Sequence, residues 1–352
     1  MSKFLSKRLS ALSPYVPGEQ PKEKKYIKLN TNESPFPPSP LATMLARQAA
    51  GDNQLYSDPD LKELTLAAQD TFGVDADEVI FTNGSDEILN FAFMAFCDGE
   101  TVFPDVTYGF YPVFAALNGV SFTEIPLKED FTVDINDYIG INKNIFLANP
   151  NAQTGIALTR DEIEKIVASN PDNIVVIDEA YVDFGAQSCV PLIKKYDNLL
   201  VTQTFSKSRS LAGARLGMGF ACKELIADLN TIRFSTNPYN VNRMTSAAGV
   251  GAMRDEKYFK NNCAAIIKTR EKTTNALKEL GFSVLLSSAN FVLAKSDKIS
   301  GEALYLALKR DGILVRHFST ERLSDYNRIT IGSEEEMNAL ICAIKKILEE
   351  EV

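Results

Sequence analysis

Lys207 closes the segment Thr204-Phe205-Ser206-Lys207, just beyond the apolar run Leu199-Leu200-Val201. A lysine at the end of a buried strand is costly unless its amine is used. Loss of water depresses the pKa of such an amine and makes it nucleophilic near neutral pH, which suits an imine with an aldehyde cofactor. Arg215 follows eight residues later in Gly213-Ala214-Arg215-Leu216-Gly217, and a nearby guanidinium suits a phosphate on that cofactor. Together they point to pyridoxal phosphate. Ser-Lys and Gly-x-Arg also occur as ordinary solvated surface, so the elements that would position these groups carry the decision.

Strands and helices alternate through the first two thirds of the chain. Val79-Ile80-Phe81-Thr82, Thr101-Val102-Phe103, Ser121 to Ile125, Ile145 to Ala148, Ile174 to Ile177, Leu199 to Thr202 and Met218 to Ala221 read as strands. Helices are expected over Leu41 to Ala50, Leu61 to Phe72 and Glu87 to Phe96. Another follows the capping box made by Thr159 and Glu162. Such alternation predicts an α/β fold with a mostly parallel sheet flanked by helices. In an open sheet of this kind ligands bind beyond the carboxyl ends of the strands. The residues found there are Gly84, Ser85 and Asp86, then Tyr108, Asn151, Asp178, Tyr181 and Lys207.

These residues are chemically coherent. Asn83-Gly84-Ser85-Asp86 opens a helix, so its N–H groups and dipole can hold a phosphate, or it is an ordinary capped turn. Asp178 could pair with a protonated pyridine nitrogen and keep the ring an electron sink, or pair with a buried arginine or cap the next helix. Tyr181 could donate to a phenolate oxygen, or pack in the core. Tyr108 could stack on the ring, or belong to the aromatic cluster Tyr108-Gly109-Phe110-Tyr111.

Composition narrows the classes. The 352 residues are 45% hydrophobic and 24% charged, enough for a sizeable core, and the net charge of -9 argues against nucleic-acid binding. The stretch Met1 to Arg8 lacks a continuous apolar region and no apolar run is long enough to span a membrane, so a cytoplasmic protein is expected. Cys97, Cys189, Cys222, Cys263 and Cys342 are scattered without paired spacing and read as reduced thiols. His317 is the single histidine, which disfavours zinc and a Ser-His-Asp triad; no metal is expected.

Residues 1–35, rich in Pro, Ser, Lys and Asn, read as an extended arm, 36–239 as the large cofactor-binding domain, and 240–352 as a smaller α+β domain. In the last, helices are expected over Met244 to Met253, Asn261 to Leu280, Gly301 to Arg310 and from Ser333. Strands are expected at Phe282 to Leu286, Asn290 to Ala294, Ile313 to Arg316 and Arg328 to Ile331.

Asp178-Glu179-Ala180-Tyr181, Ser206-Lys207 with Arg215 beyond it, Leu29-Asn30-Thr31-Asn32-Glu33-Ser34-Pro35, Arg328-Ile329-Thr330-Ile331-Gly332 and Pro14-Tyr15-Val16-Pro17-Gly18 occur in one order along nearly the whole chain. In this the sequence resembles the histidinol-phosphate aminotransferase family of fold type I pyridoxal-phosphate enzymes. The resemblance implies a cytoplasmic homodimer in histidine biosynthesis, moving an amino group between histidinol phosphate and 2-oxoglutarate, with glutamate and imidazole acetol phosphate as the other pair. It implies that Lys207 attaches the cofactor and shuttles a proton, that Asp178 meets the pyridine nitrogen, and that Tyr181 and an asparagine meet the phenolate oxygen. Tyr108 would stack on the ring. Gly84, Ser85, Asp86, Thr204, Ser206 and Arg215 would hold the phosphate, joined by Tyr56 across the subunit interface. Arg328 would clamp the carboxylate of glutamate or 2-oxoglutarate, Arg316 and Tyr15 would engage the phosphate-bearing amine, and Asn32 lies in the segment that closes over the site. Read without the family, Arg316 and Arg328 are surface charges at strand ends.

One departure stands out. Where the family usually reads Asn-Pro-Thr-Gly, this chain has Ala152-Gln153-Thr154-Gly155, so Asn151, one residue earlier, is the substitute for the expected asparagine. An aromatic amino acid aminotransferase and a threonine-phosphate decarboxylase share the same cofactor constellation. A non-catalytic aminotransferase-like regulator would need a DNA-binding module, which the stretch before Leu41 is too short to form. A nucleotide-binding α/β protein would need a phosphate-loop motif, and none is present.

Overall fold

A computed structural model describes every residue except Met1, Lys7, Arg8, Ala11, Lys22, Glu351 and Val352. The arm contributes one short strand, β1 (Ile27–Leu29). Helix α1 (Pro40–Ala49) starts at Ser39, whose hydroxyl accepts from Ala42 N, with proline at the first helical position where its missing N–H costs nothing. Helix α2 (Lys62–Phe72) ends at Gly73 in the left-handed conformation. The alternating part follows as β2 (Val79–Thr82), α3 (Ser85–Phe96), β3 (Thr101–Pro104), α4 (Tyr111–Asn118), β4 (Phe122–Ile125) and β5 (Asn144–Ala148). It continues through α5 (Arg160–Ser169), β6 (Val175–Asp178), β7 (Leu199–Thr204) and β8 (Gly217–Phe220). The remainder comprises α6 (Lys223–Thr236), α7 (Arg243–Arg254), α8 (Glu256–Glu279), β9 (Phe282–Val284), β10 (Phe291–Ser296), α9 (Gly301–Arg310), β11 (Ile313–His317), β12 (Tyr326–Thr330) and α10 (Glu334–Glu350).

Seven strands form one sheet in the order β2-β8-β7-β6-β5-β3-β4, and only β8 runs against its neighbours. The α/β expectation from the alternating pattern is met. Strands β5, β6 and β7 are buried along their whole length, as strands covered by helices on both faces must be. Their alternate residues feed two cores. Ile145, Leu147, Val175, Ile177 and Val201 pack with α2 and α5 on one face, whereas Phe146, Val176 and Leu200 pack with α3 and α4 on the other. The second core runs on without a break into the smaller sheet through Phe291, Val292 and Ile329.

That smaller sheet has the order β1-β11-β12-β10-β9. Three of its four pairings are antiparallel, but β1 lies parallel to β11, with Ile27 opposite Ile313 and Leu29 opposite Val315. Part of the extended arm is thus a strand in the sheet built otherwise from the C-terminal part of the chain. Among the described residues no helix is long and apolar enough to cross a membrane, and all five cysteines are free.

Candidate active site

Strand β2 ends at Thr82, and Gly84 turns the chain into α3 with φ +80. A side chain at Gly84 would collide with the Arg215 guanidinium, and one at Gly217 would strike the backbone of Ser85. Both positions must be glycine for α3, β8 and Arg215 to meet. Gly84 offers α3 no side-chain cap, so the first-turn N–H groups and the positive end of the helix dipole stay available to an anion. Around this cradle, Thr204 Oγ1 donates to Ser206 Oγ at 3.0 Å and Arg215 Nη1 to the same Oγ at 3.5 Å. Asp86 is less free. Its carboxylate accepts from Tyr108 Oη at 2.6 Å and from Arg215 Nη2 at 3.0 Å, so only its backbone N–H can serve an anion.

Asp178 ends β6 and Glu179 follows it directly, so the two side chains turn to opposite faces. Glu179 turns into the protein, where it accepts from Ser188 Oγ and Gln203 Nε2. Asp178 faces the cavity and accepts from Tyr111 Oη at 3.2 Å, Ala180 N at 3.2 Å and Thr202 Oγ1 at 3.4 Å. Burial, aided by the charge of Asp86, pushes its carboxyl up to about 6 even against those donors. A cation placed beside it would bring it back down.

Lys207 lines the same cavity as Asp178. Its Nζ donates to Thr31 O at 3.0 Å and stands 5.9 Å from the centre of the Tyr181 ring. Burial lowers its pKa to about 8, and the positive charges of Arg328 and Arg215 push the same way against Glu33 and Asp86. Tyr181 is itself buried, and its hydroxyl accepts from Asn32 Nδ2 at 3.0 Å.

The direction of that last bond is fixed by its neighbours. Thr330 Oγ1 accepts from Asn32 N at 2.9 Å and so gives its own proton to Asn32 Oδ1 at 3.0 Å, which leaves only the NH2 end of the amide for Tyr181. Asn290 Nδ2 holds Asn32 O at 3.0 Å, and Asn32 sits in the left-handed region at φ 56. With one side of its oxygen taken, the Tyr181 hydroxyl directs its proton elsewhere.

One cavity of about 270 Å3 gathers these groups, with Thr31, Glu33, Ser85, Asp86, Tyr108, Ala152, Asp178, Tyr181, Thr204, Ser206, Lys207 and Arg215 in its wall. Sequence reasoning singled out most of them. Asn151 is the exception. Its Nδ2 donates to Val106 O at 2.8 Å, and its Oδ1 accepts from the N–H groups of Gln153 and Thr154, so the amide ties its own turn to the loop after β3 while Ala152 faces the cavity. The donor to Tyr181 is instead Asn32, which the sequence pointed to only as part of a closing segment. Tyr111 and the carbonyl of Thr31 also escaped notice. Tyr111 hides in an aromatic run, and no residue type signals the use of a carbonyl.

Arg328, on β12, reaches from the small sheet to the loop after β5. Nη1 donates to Ala152 O at 2.9 Å and to Gln153 Oε1 at 3.0 Å, while the buried Nε has no partner. A neighbouring cavity of about 390 Å3 is lined by Tyr15, Gln153, Arg316 and Phe318 among others. There Tyr15 stacks on Phe110 with ring centres 4.2 Å apart, and Arg316 touches Pro17 O and Val16 O only at 3.4 to 3.5 Å. His317 stacks on Tyr305, away from these cavities. Tyr56 lines neither cavity; it is 79% exposed and stacked on Tyr239. A larger cleft of about 660 Å3 runs beside β2 between α2 and α6, but its wall is mainly apolar and lacks a converging set of reactive groups.

The sequence model of the aminotransferase class I and II family matches residues 24–344. Histidinol-phosphate aminotransferase of Brachyspira hyodysenteriae is 49% identical over 352 residues, 99% of each chain. The protein of that name from Clostridium botulinum strain Kyoto is 46% identical over 351 residues, again 99% of each. Among solved structures, histidinol-phosphate aminotransferase from Sinorhizobium meliloti in complex with pyridoxal-5'-phosphate superposes with a TM-score of 0.90, covering 100% of this chain and 99% of that one at 24% identity, a likeness of fold.

Proposed function

The chain belongs to the aminotransferase class I and II family, and we propose that it moves an amino group between histidinol phosphate and 2-oxoglutarate, using pyridoxal 5'-phosphate in histidine biosynthesis. One observation carries this reading: an uncapped helix start between two obligatory glycines, a buried carboxylate and an amine of lowered pKa open onto a single cavity. That donor set fits the cofactor. The N–H groups of Ser85 and Asp86, with Gly84, Thr204, Ser206 and Arg215, would hold its phosphate; Asp178 would take the pyridine N–H, and Tyr108 would cover the ring. Asn151 has no part in this, because its NH2 is taken by Val106 O and its oxygen by its own turn.

When bound there, pyridoxal phosphate supplies an aldehyde carbon for attachment and a ring that withdraws electrons from the substrate Cα. Lys207 would provide the attaching amine. Near pH 8 a large fraction of its Nζ is neutral, so it can lift the substrate Cα proton and hold it for return. Tyr181, its oxygen engaged by Asn32, would donate its proton to the ring oxygen. Arg328, without an acidic partner among the described residues, would receive a carboxylate of glutamate or 2-oxoglutarate. Tyr15 and Arg316 would meet the phosphate of the amine substrate, so one Lys207 serves two unlike acids by way of separate cationic groups.

The protein would act in the cytoplasm as a homodimer, with Tyr56 reaching the phosphate of the partner's cofactor. Leu55, Tyr56, Leu66, Phe234, Tyr239 and Met244 are all exposed, an apolar display that suits an interface. The decisive test of the reaction follows cofactor absorbance and product formation with glutamate, histidinol phosphate, phenylalanine and threonine phosphate. Histidinol phosphate should give the highest kcat/KM among the amines. Turnover of phenylalanine or threonine phosphate with none of histidinol phosphate would overturn the reading.

A further inference from the structure

In the loop between β5 and α5, the side chain of Asn151 does the work of a rigid turn, accepting from Gln153 N at 2.9 Å and Thr154 N at 3.1 Å. Residue 153 is therefore free to carry a long polar side chain. The Gln153 amide spans two groups: Nε2 donates to Thr107 O at 3.2 Å, and Oε1 accepts from Arg328 Nη1 at 3.0 Å. Only the NH2 end can donate to a carbonyl, so the Thr107 contact forces the oxygen toward the arginine. Ala152 O shares the same Nη1 at 2.9 Å, and Asn30 O lies 3.4 Å from Nη2. Every hydrogen-bond partner of this guanidinium among the described residues is a neutral oxygen. Its Nε remains buried and unpartnered.

We propose that Gln153 is a positioning residue that sets carboxylate specificity through Arg328. Resting on the reading that Arg328 receives the substrate carboxylate, the inference gives Gln153 two effects. It pins Nη1 against the loop, which fixes the plane of the guanidinium and leaves the Nη2 and Nε side for a bidentate ligand. It does so without charge, so none of the cation is neutralised from within. A glutamate at this position would supply the same oxygen with a negative charge and occupy the arginine before substrate arrives. An apolar residue of the same length would release one anchor and let the guanidinium swing.

The test measures binding of succinate, a dicarboxylate that cannot react, to holoenzyme by calorimetry for wild type, Gln153→Glu, Gln153→Met and Arg328→Lys. The absorbance of the bound cofactor in each variant reports that the site is intact. Gln153→Glu should weaken succinate by about tenfold or more. Gln153→Met should weaken it by about three- to tenfold, the loss of one hydrogen bond, and keeps the test alive if the charged variant fails to fold. Wild-type succinate affinity in the Gln153 variants, with Arg328→Lys weakened, would overturn the role of Gln153 and leave the carboxylate site standing. Wild-type affinity in Arg328→Lys would remove the carboxylate site and this inference together. A fall in kcat with no change in succinate affinity would make Gln153 a structural residue only.

Discussion

The lowered pKa of Lys207 can be measured in the apoenzyme through the rate at which pyridoxal phosphate attaches. Only the neutral amine reacts, so the rate should rise with pH and level off above about 8, where burial and the charges of Arg328 and Arg215 have moved the group. At pH 7 a group of pKa 8 is neutral in roughly one molecule in ten, whereas a lysine left at 10.5 would be neutral in roughly three in ten thousand. The structure thus supplies a factor of about 300 in reactive amine at pH 7. Dividing each rate by that for free Nα-acetyl-lysine, the latter first divided by its own neutral fraction, removes the cofactor's own titration and leaves that of Lys207. Arg328→Gln removes the positive charge that ranks next to burial as a cause, so its midpoint should move to higher pH and attachment at pH 7 should slow. Arg328→Lys keeps the charge and should keep the midpoint. A wild-type midpoint near 10.5, or an acid shift in Arg328→Gln, would refute the assignment.

The fixed amide of Asn32 predicts coupling with Tyr181. Asn32→Ala, Tyr181→Phe and the double variant, compared by kcat/KM, should show an interaction of about 1 kcal/mol, the worth of one hydrogen bond; additive effects would show that Asn32 does not act through the tyrosine. For the dimer, mixing Tyr56→Ala with Lys207→Ala should restore activity, because a mixed dimer holds one site with both groups intact. Random 1:1 exchange should give about a quarter of wild-type activity, and a mixture no better than the mean of its parents would remove Tyr56 from the neighbouring site.

The strand runs Val79–Thr82 and Leu199–Thr204 were legible because strands buried on both faces are continuous apolar stretches with polar residues only at their ends. The same rule put Asp178, Tyr181, Lys207 and the Gly84 turn in one place, and the cavity contains them all or abuts them. Other features are set by pairings that sequence does not encode locally. Ile27–Leu29 has no turn or partner nearby to mark it as a strand, since its register is fixed by β11. Helix α6 (Lys223–Thr236) is not among the helices expected, its Asn and Thr residues breaking the apolar spacing. Asn151 differs from the expectation because a side chain can serve its own backbone as readily as a ligand. Gln153 gave no warning, since its meaning depends on an arginine 175 residues away.

The pairing of β1 with β11 also sets a schedule. Ile27 must wait for Ile313, 286 residues later, before its strand has a neighbour. At synthesis rates of about 5–20 residues per second that wait lasts roughly 15–60 s, during which the arm has no place in a sheet. Thr31, two residues beyond β1, is the carbonyl that holds Lys207 Nζ. The lysine therefore acquires its final contact only when most of the polypeptide has left the ribosome, and a nascent chain that has finished its seven-stranded sheet still has an open site.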